Sequence, residues 1–184
     1  MGETQPALIV VTGRPGSGKT SLAHALARAV RCPAICRDAI KEGFLNTLGQ
    51  AGNLDDAVSR HAYETFFDVV KFLLSHRITL VAEAAFQHKL WAPKLEPLRA
   101  IARIRIILCE VDPRLAGSRR LQRLAADPKR ALFHDERSLQ AALDSGDALV
   151  DSYDPPHLDL PTLSVDTSNE YQPALDAIVS FALA

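Results

Sequence analysis

The run Gly13-Arg14-Pro15-Gly16-Ser17-Gly18-Lys19-Thr20 matches G-x4-G-K-[ST], and it constrains the fold more than any other part of the 184-residue chain. Such a loop works only where a buried strand delivers it to the edge of a sheet and a helix begins directly after it. Both flanks are present. Leu8 to Thr12 (LIVVT) is a short apolar run with β-branched residues, and Gly18 to Arg31 is an Ala/Leu-rich stretch of helical character. Glycines let consecutive backbone N–H groups curl around phosphate oxygens, and the helix N-terminus adds its positive dipole end. The pattern assigns Lys19 to the β- and γ-phosphates and the Thr20 hydroxyl to Mg²⁺, with Arg14, Pro15, Ser17 and Ser21 completing the cradle. A chance match in a chain this long has a probability of about 1%, before the strand and helix are required.

The rest of the chain alternates in the same way. Further strands are expected at Ala34 to Cys36, Ile78 to Ala82, Ile104 to Val111 and, more weakly, Thr162 to Val165. Leu54 to Ser75 places Val58, Ala62, Phe66, Val69, Val70 and Leu73 on one helical face. Pro113 suits the first turn of a helix running to about Ala125, and a last helix is expected from about Glu170. Strands alternating with helices imply an α/β fold in which a parallel sheet lies between helical layers. No linker or repeat interrupts the pattern, so residues 1–184 are expected to form one domain, and Ser145 to Pro161 reads as a surface connection.

Composition narrows the user of the loop. With 47% hydrophobic and 23% charged residues the chain can bury a substantial core, and no apolar run has a membrane span's length. No signal-peptide pattern precedes Pro6, so a cytoplasmic location is expected. Cys32, Cys36 and Cys109 are odd in number and suit a reduced compartment. The histidines, at positions 24, 61, 76, 88, 134 and 157, lack metal-ligand spacing. The net charge of -1 hides an uneven distribution: +2 for Met1 to Leu98, +5 for Arg99 to Arg137 and -8 for Ser138 to Ala184. No [NT]-K-x-D guanine signature is present, and the chain is too short for a motor or a large ring ATPase. A compact phosphotransferase is therefore favoured over a GTPase.

The acceptor side of such a reaction belongs at the carboxyl ends of neighbouring strands. Arg37-Asp38-Ala39-Ile40-Lys41 follows the second expected strand directly. Asp38 is the candidate base for a substrate hydroxyl, with a helix N-cap as its competing role, and Lys41 lies three residues later on the same helical face. Glu83 ends the run Ile78 to Ala82 and is the candidate partner of Mg²⁺, directly or through water. Glu110 and Asp112, at the end of the next strand, are its rivals. Phe86, Leu90 and Trp91 suit a core or a pocket wall.

Together GRPGSGKT, the RDxIK segment, the strand ending in EAAF and the later Arg-rich helix resemble the small P-loop kinases, an AAA-type ATP-binding group related to zeta toxins, chloramphenicol phosphotransferase and the polynucleotide 5′-kinase domain. The resemblance covers nearly the whole chain, with only the phosphate loop highly specific. It implies a five-stranded parallel sheet in order 2-3-1-4-5, ATP with Mg²⁺, and transfer of the γ-phosphate to a hydroxyl. It also implies that Asp38 activates the acceptor, that Lys41 replaces the group's more usual arginine, and that Glu83 stands where many relatives carry aspartate. The segment 113–137 corresponds to a lid in which Arg119 and Arg123 share a helical face toward the transferring phosphoryl, Arg120 points elsewhere, and Arg130 caps the lid or stacks on adenine. Asp166 and Thr167 are candidates to line the base pocket, with a helix cap at Thr167 or Ser168 as the competing role. The expected acceptor is a small hydroxyl compound, less readily a nucleic-acid 5′ end. The alternatives are a nucleoside or nucleotide kinase using Asn53 to Ser75 as its acceptor wall, and a non-catalytic, nucleotide-dependent regulatory protein.

Overall fold

In the strand that delivers the phosphate loop, alternate side chains serve opposite faces of a sheet. Leu8 and Val10 pack into one apolar cluster, while Ala7, Ile9 and Val11 pack into another. This burial on both faces is what a central parallel strand requires. A computed structural model of the chain describes residues 5–49, 55–128, 133 and 153–184. It consists of β1 (Ala7–Gly13), α1 (Lys19–Val30), β2 (Ala34–Cys36), α2 (Arg37–Leu48), α3 (Asp56–Ser75), β3 (Leu80–Glu83), α4 (His88–Leu95), a 3-10 turn (Glu96–Ala100), β4 (Arg103–Glu110), α5 (Pro113–Ala126), β5 (Thr162–Asp166) and α6 (Leu175–Leu183). The strands form one parallel sheet in the order β2-β3-β1-β4-β5, the order that the resemblance implies.

α1 and α6 cover the face carrying Ile9 and Val11, through Leu22, Leu26 and Ile178. α3 and α4 cover the other face, through Phe66, Val70 and Trp91, so Trp91 belongs to the core. No described helix is long and apolar enough to cross a membrane.

The elements differ from the expected ones in several places. β3 begins at Leu80 because Ile78 donates its N–H to the Leu73 carbonyl in the turn that ends α3. The same strand takes in Glu83. α6 starts at Leu175 rather than near Glu170, because Gln172 first exchanges backbone hydrogen bonds with Asp166 and Pro173 follows. α4 is an addition: Trp91 and Leu95 bury one face of a helix that holds Pro93 and is too short to announce itself in the sequence. The segment Ser145 to Pro161 is more than a surface connection where it is described. Tyr153 reaches the buried Thr12 hydroxyl at 2.8 Å, and Asp154 and His157 hydrogen-bond Gln87 and His88. Of the expected lid, residues 129–132 and 134–137, Arg130 among them, lie outside the described residues, as does Asn53 of the alternative acceptor wall.

Candidate functional site

Register and helix periodicity bring the phosphate loop and its acidic partners together. Glu83 pairs in register with Val11 of β1 on one side and with Cys36 of β2 on the other, so its side chain shares the sheet face covered by α1. α1 starts at Lys19, next to the carboxyl ends of all three strands. The result is a compact cluster of Lys19, Thr20, Cys36 and Glu83. Lys19 Nζ lies 3.9 Å from Glu83 Oε1 and 3.5 Å from the Arg14 carbonyl oxygen. Cys36 Sγ lies 3.8 Å from His24 Nε2.

Electrostatics in this cluster follow burial. Glu83 is only 2% exposed, and desolvation lifts its carboxyl above the usual range. Lys19 opposes the shift, Asp38 adds to it, and the neighbouring Cys36 and Thr20 oppose it. Burial and then the Glu83 charge push the Cys36 thiol up to about 12, so it stays neutral. A group whose folded pKa is raised contributes stability at low pH that is lost as pH rises through the folded value. With no nucleotide or Mg²⁺ present, Glu83→Gln is therefore expected to gain melting temperature over wild type as pH rises from about 4 to about 8, since only the wild type must ionise a buried carboxyl. A pH-independent difference in thermal melts would contradict this.

Asp38 lies in the first turn of α2, whose N-cap is Cys36, so the capping role is not the one it has. Its side chain is 48% exposed and pairs with Arg37 at 3.2 Å, and its charge acts on both Cys36 and Glu83. It stands beside the phosphate loop with a face open to solvent. Lys41, one helical turn on, is buried. The rivals of Glu83 are otherwise engaged. Asp112 caps α5 by accepting from the Arg114 N–H, and Glu110 is exposed with its carbonyl receiving Thr167.

A triphosphate fits the frame on three observations, and the Glu83 carboxylate, 3.9 Å from Lys19, is an oxygen donor of the kind Mg²⁺ takes. Gly18 caps α1 at φ 77° with no side chain bonded to the helix N-terminus. Gly16 has φ +90°, and a Cβ there would lie 2.3 Å from the Ala116 carbonyl oxygen. Finally, the buried Ser17 Oγ has no hydrogen-bond partner within the protein. Arg14 and Pro15 lie within this turn, half-buried, and Ser21 follows it in α1, exposed.

Beyond the loop a cavity of about 450 Å³ is lined by Gly16, Gly18, Ser21, Arg119, Gln122, Arg123, Ala126, Thr167, Asn169 and Tyr171. Arg119 donates to the carbonyls of Thr167 and Ser168 at 2.8 and 2.7 Å, and Arg123 Nε donates to the Arg119 carbonyl. Thr167 lines the cavity and braces the phosphate loop, donating its hydroxyl to the Ser17 carbonyl at 2.6 Å. Asp166 is not among the lining residues. Its exposed carboxylate accepts the Ser168 N–H, and the hydroxyl and N–H of that serine hold it below the usual carboxylate range. Removing the brace with Thr167→Val leaves a buried carbonyl unsatisfied and is expected to cost about 1–3 kcal/mol in denaturant unfolding, with Thr167→Ser recovering most of it. Equal stability of the Val variant would contradict the brace.

Sequence reasoning missed Cys36, Tyr153, Gln122, Asn169 and Tyr171. Cys36 was signalled by its place as the last strand residue before Asp38. Tyr171 was signalled by following β5 closely. Nothing in the sequence pointed Tyr153 toward Thr12.

A family model described as an AAA domain matches residues 8–148. No curated protein matches the sequence. Among solved structures, a candidate kinase from Chloroflexus aurantiacus J-10-fl is 28% identical, with 98% of each chain covered and a TM-score of 0.81. The Mycobacterium tuberculosis APS kinase, solved with AMPPNP and APS, is 15% identical over 99% of this chain and 100% of its own, with a TM-score of 0.62. A gluconokinase from Sinorhizobium meliloti 1021 is 22% identical over 98% of this chain and 91% of its own, with a TM-score of 0.57. The last two likenesses concern the fold. The resemblance to small P-loop kinases read from the sequence agrees with all of these matches.

Proposed function

The chain belongs to the AAA domain family, and we propose that it is an ATP-dependent phosphotransferase that moves the γ-phosphate to a hydroxyl group of a small molecule. The fold and its kinase neighbours support nucleotide-binding phosphotransfer in general. The observation that carries the finer reading is the position of Asp38. It is half-exposed, one strand removed from Lys19 and Thr20, at the end of the sheet where the phosphate loop opens.

ATP, the phosphoryl donor, is held by the loop amides, Ser17 and Lys19, and Thr20 and Glu83 hold Mg²⁺, which supplies charge neutralisation at the phosphates when bound. Asp38 accepts the acceptor's proton as the new O–P bond forms and the bond to ADP breaks, while Lys41 holds the acceptor side. Arg119 and Arg123 lie on the nucleotide side, where their charge offsets that of the triphosphate. Thr167 borders the base. Residues 1–184 act as one domain in this reading.

ADP release measured with and without each member of a panel of sugars, amino alcohols, nucleosides and RNA 5′ ends tests the proposal. Acceptor-dependent ADP release supports it. Tight ATP binding with no acceptor stimulating release favours the regulatory alternative.

A further inference from the structure

One face of α5 runs along the nucleotide side of the phosphate loop. Ala116 abuts Gly16, where a Cβ would lie 2.3 Å from the Ala116 carbonyl oxygen, and Arg119, Gln122, Arg123 and Ala126 line the cavity beyond. These positions are three or four residues apart and so share a helical face. Arg119 is the member that reaches across. Its Nη2 donates to the Thr167 and Ser168 carbonyls at 2.8 and 2.7 Å, so both hydrogens of that nitrogen are spent on the backbone of the β5–α6 loop. This loop is closed at its base by the backbone exchange between Asp166 and Gln172, and Arg119 ties its near limb to α5. The same limb reaches the phosphate loop. The Thr167 hydroxyl donates to the Ser17 carbonyl at 2.6 Å, while the Thr167 N–H donates to the Glu110 carbonyl at 3.0 Å.

We propose that Arg119 is a positioning residue for the phosphate loop: by clamping the two carbonyls it fixes the β5–α6 loop where Thr167 can hold Ser17. Ser17 sits between Gly16 and Gly18, both at positive φ, so its chain neighbours do little to stiffen the turn. Its carbonyl is the handle by which the rest of the protein holds it. A charged donor makes the stronger kind of hydrogen bond, and here two such bonds meet on one short limb. The Arg119 charge stays on the nucleotide side, but its hydrogen bonds serve the protein's own backbone. The consequence separates two roles. An arginine in contact with the transferring phosphoryl matters to ATP alone, whereas one that sets the cradle of the α- and β-phosphates matters equally to ADP.

This role rests on the nucleotide binding of the proposed function and on no acceptor, so it is tested without one. ADP and a non-hydrolysable ATP analogue, each with Mg²⁺, are titrated by calorimetry into wild type, Arg119→Met, Thr167→Val, Thr167→Ser and Arg119→Met/Thr167→Val, at low and high salt. Methionine keeps an aliphatic stem on α5 and removes every donor. Arg119→Met is expected to weaken ADP and the analogue by the same factor, about tenfold, at both salt concentrations. Thr167→Val is expected to weaken both nucleotides as well, and Thr167→Ser, which keeps the hydroxyl, to stay within about twofold of wild type. Adding Arg119→Met to Thr167→Val is expected to cost less than about threefold more, since the two residues act along one path. Wild-type ADP affinity in Arg119→Met, or a loss that vanishes at high salt, makes Arg119 a charge acting on phosphate and overturns the positioning role while nucleotide binding stands. Losses that multiply in the double variant overturn it too. A wild type that binds neither nucleotide removes the cradle itself, and the role of Arg119 falls with it.

Discussion

Asp38→Asn is expected to bind ATP within about twofold of wild type and to transfer phosphate about 10²–10⁴-fold more slowly, the range by which a positioned general base accelerates such a step. The substitution is nearly isosteric. The helix start does not depend on it, because Cys36 holds the N-cap position and Asp38 lies within the first turn. The Arg37 pair it breaks is partly exposed, and such pairs contribute about 0–1 kcal/mol. Lost activity in Asp38→Asn therefore cannot be put down to unfolding, provided that melts confirm the small change. Unchanged acceptor-dependent ADP production would remove Asp38 from the role of base.

Lys19→Met is expected to act twice. Transfer falls by at least about 10²–10³-fold, because a fixed charge aimed at the developing phosphoryl charge is lost. The apo protein also loses stability near neutral pH. Lys19 is the cation that opposes the upward shift of the buried Glu83 carboxyl, so its removal raises that pKa further. By linkage the added instability appears as pH rises through the folded pKa and fades in acid. The double variant Lys19→Met/Glu83→Gln is expected to recover the neutral-pH stability without recovering transfer. If the double variant melts no higher than Lys19→Met at neutral pH, the coupling between the two side chains is wrong.

Most of the architecture could be read from the chain because β1, β3 and β4 are buried on both faces and therefore appear as continuous apolar runs. The phosphate loop was legible for a separate reason: its chemistry leaves little freedom at Gly16, Gly18, Lys19 and Thr20. Boundaries failed where local hydrogen bonding overrode composition, as at Ile78, which the end of α3 claims, and at Gln172, which pairs with Asp166. The site was half legible. Glu83 was favoured over Glu110 because its strand was expected beside β1, and β3 does lie there. Cys36 was marked only by its place before Asp38, and its nearness to Glu83 arises from strand register, which the sequence does not show. The arginines of α5 show the opposite case. Their sequence positions suggested phosphate contacts, whereas Arg119 also ties the β5–α6 loop through two carbonyls. The acidic block that begins at Ser138 has Asp144, Asp147 and Asp151 outside the described residues, and the idea that it balances the basic segment is open to salt-dependent ATP binding after their neutralisation.

Phosphorus-31 NMR of ATP, Mg²⁺ and the protein with the acceptor that most stimulates ADP release tests the central claim most directly. The account predicts that a phosphomonoester resonance of the acceptor grows in step with ADP, and that it is absent with Asp38→Asn on the same timescale. ADP accompanied only by inorganic phosphate, with no ester formed on any hydroxyl compound, would contradict it.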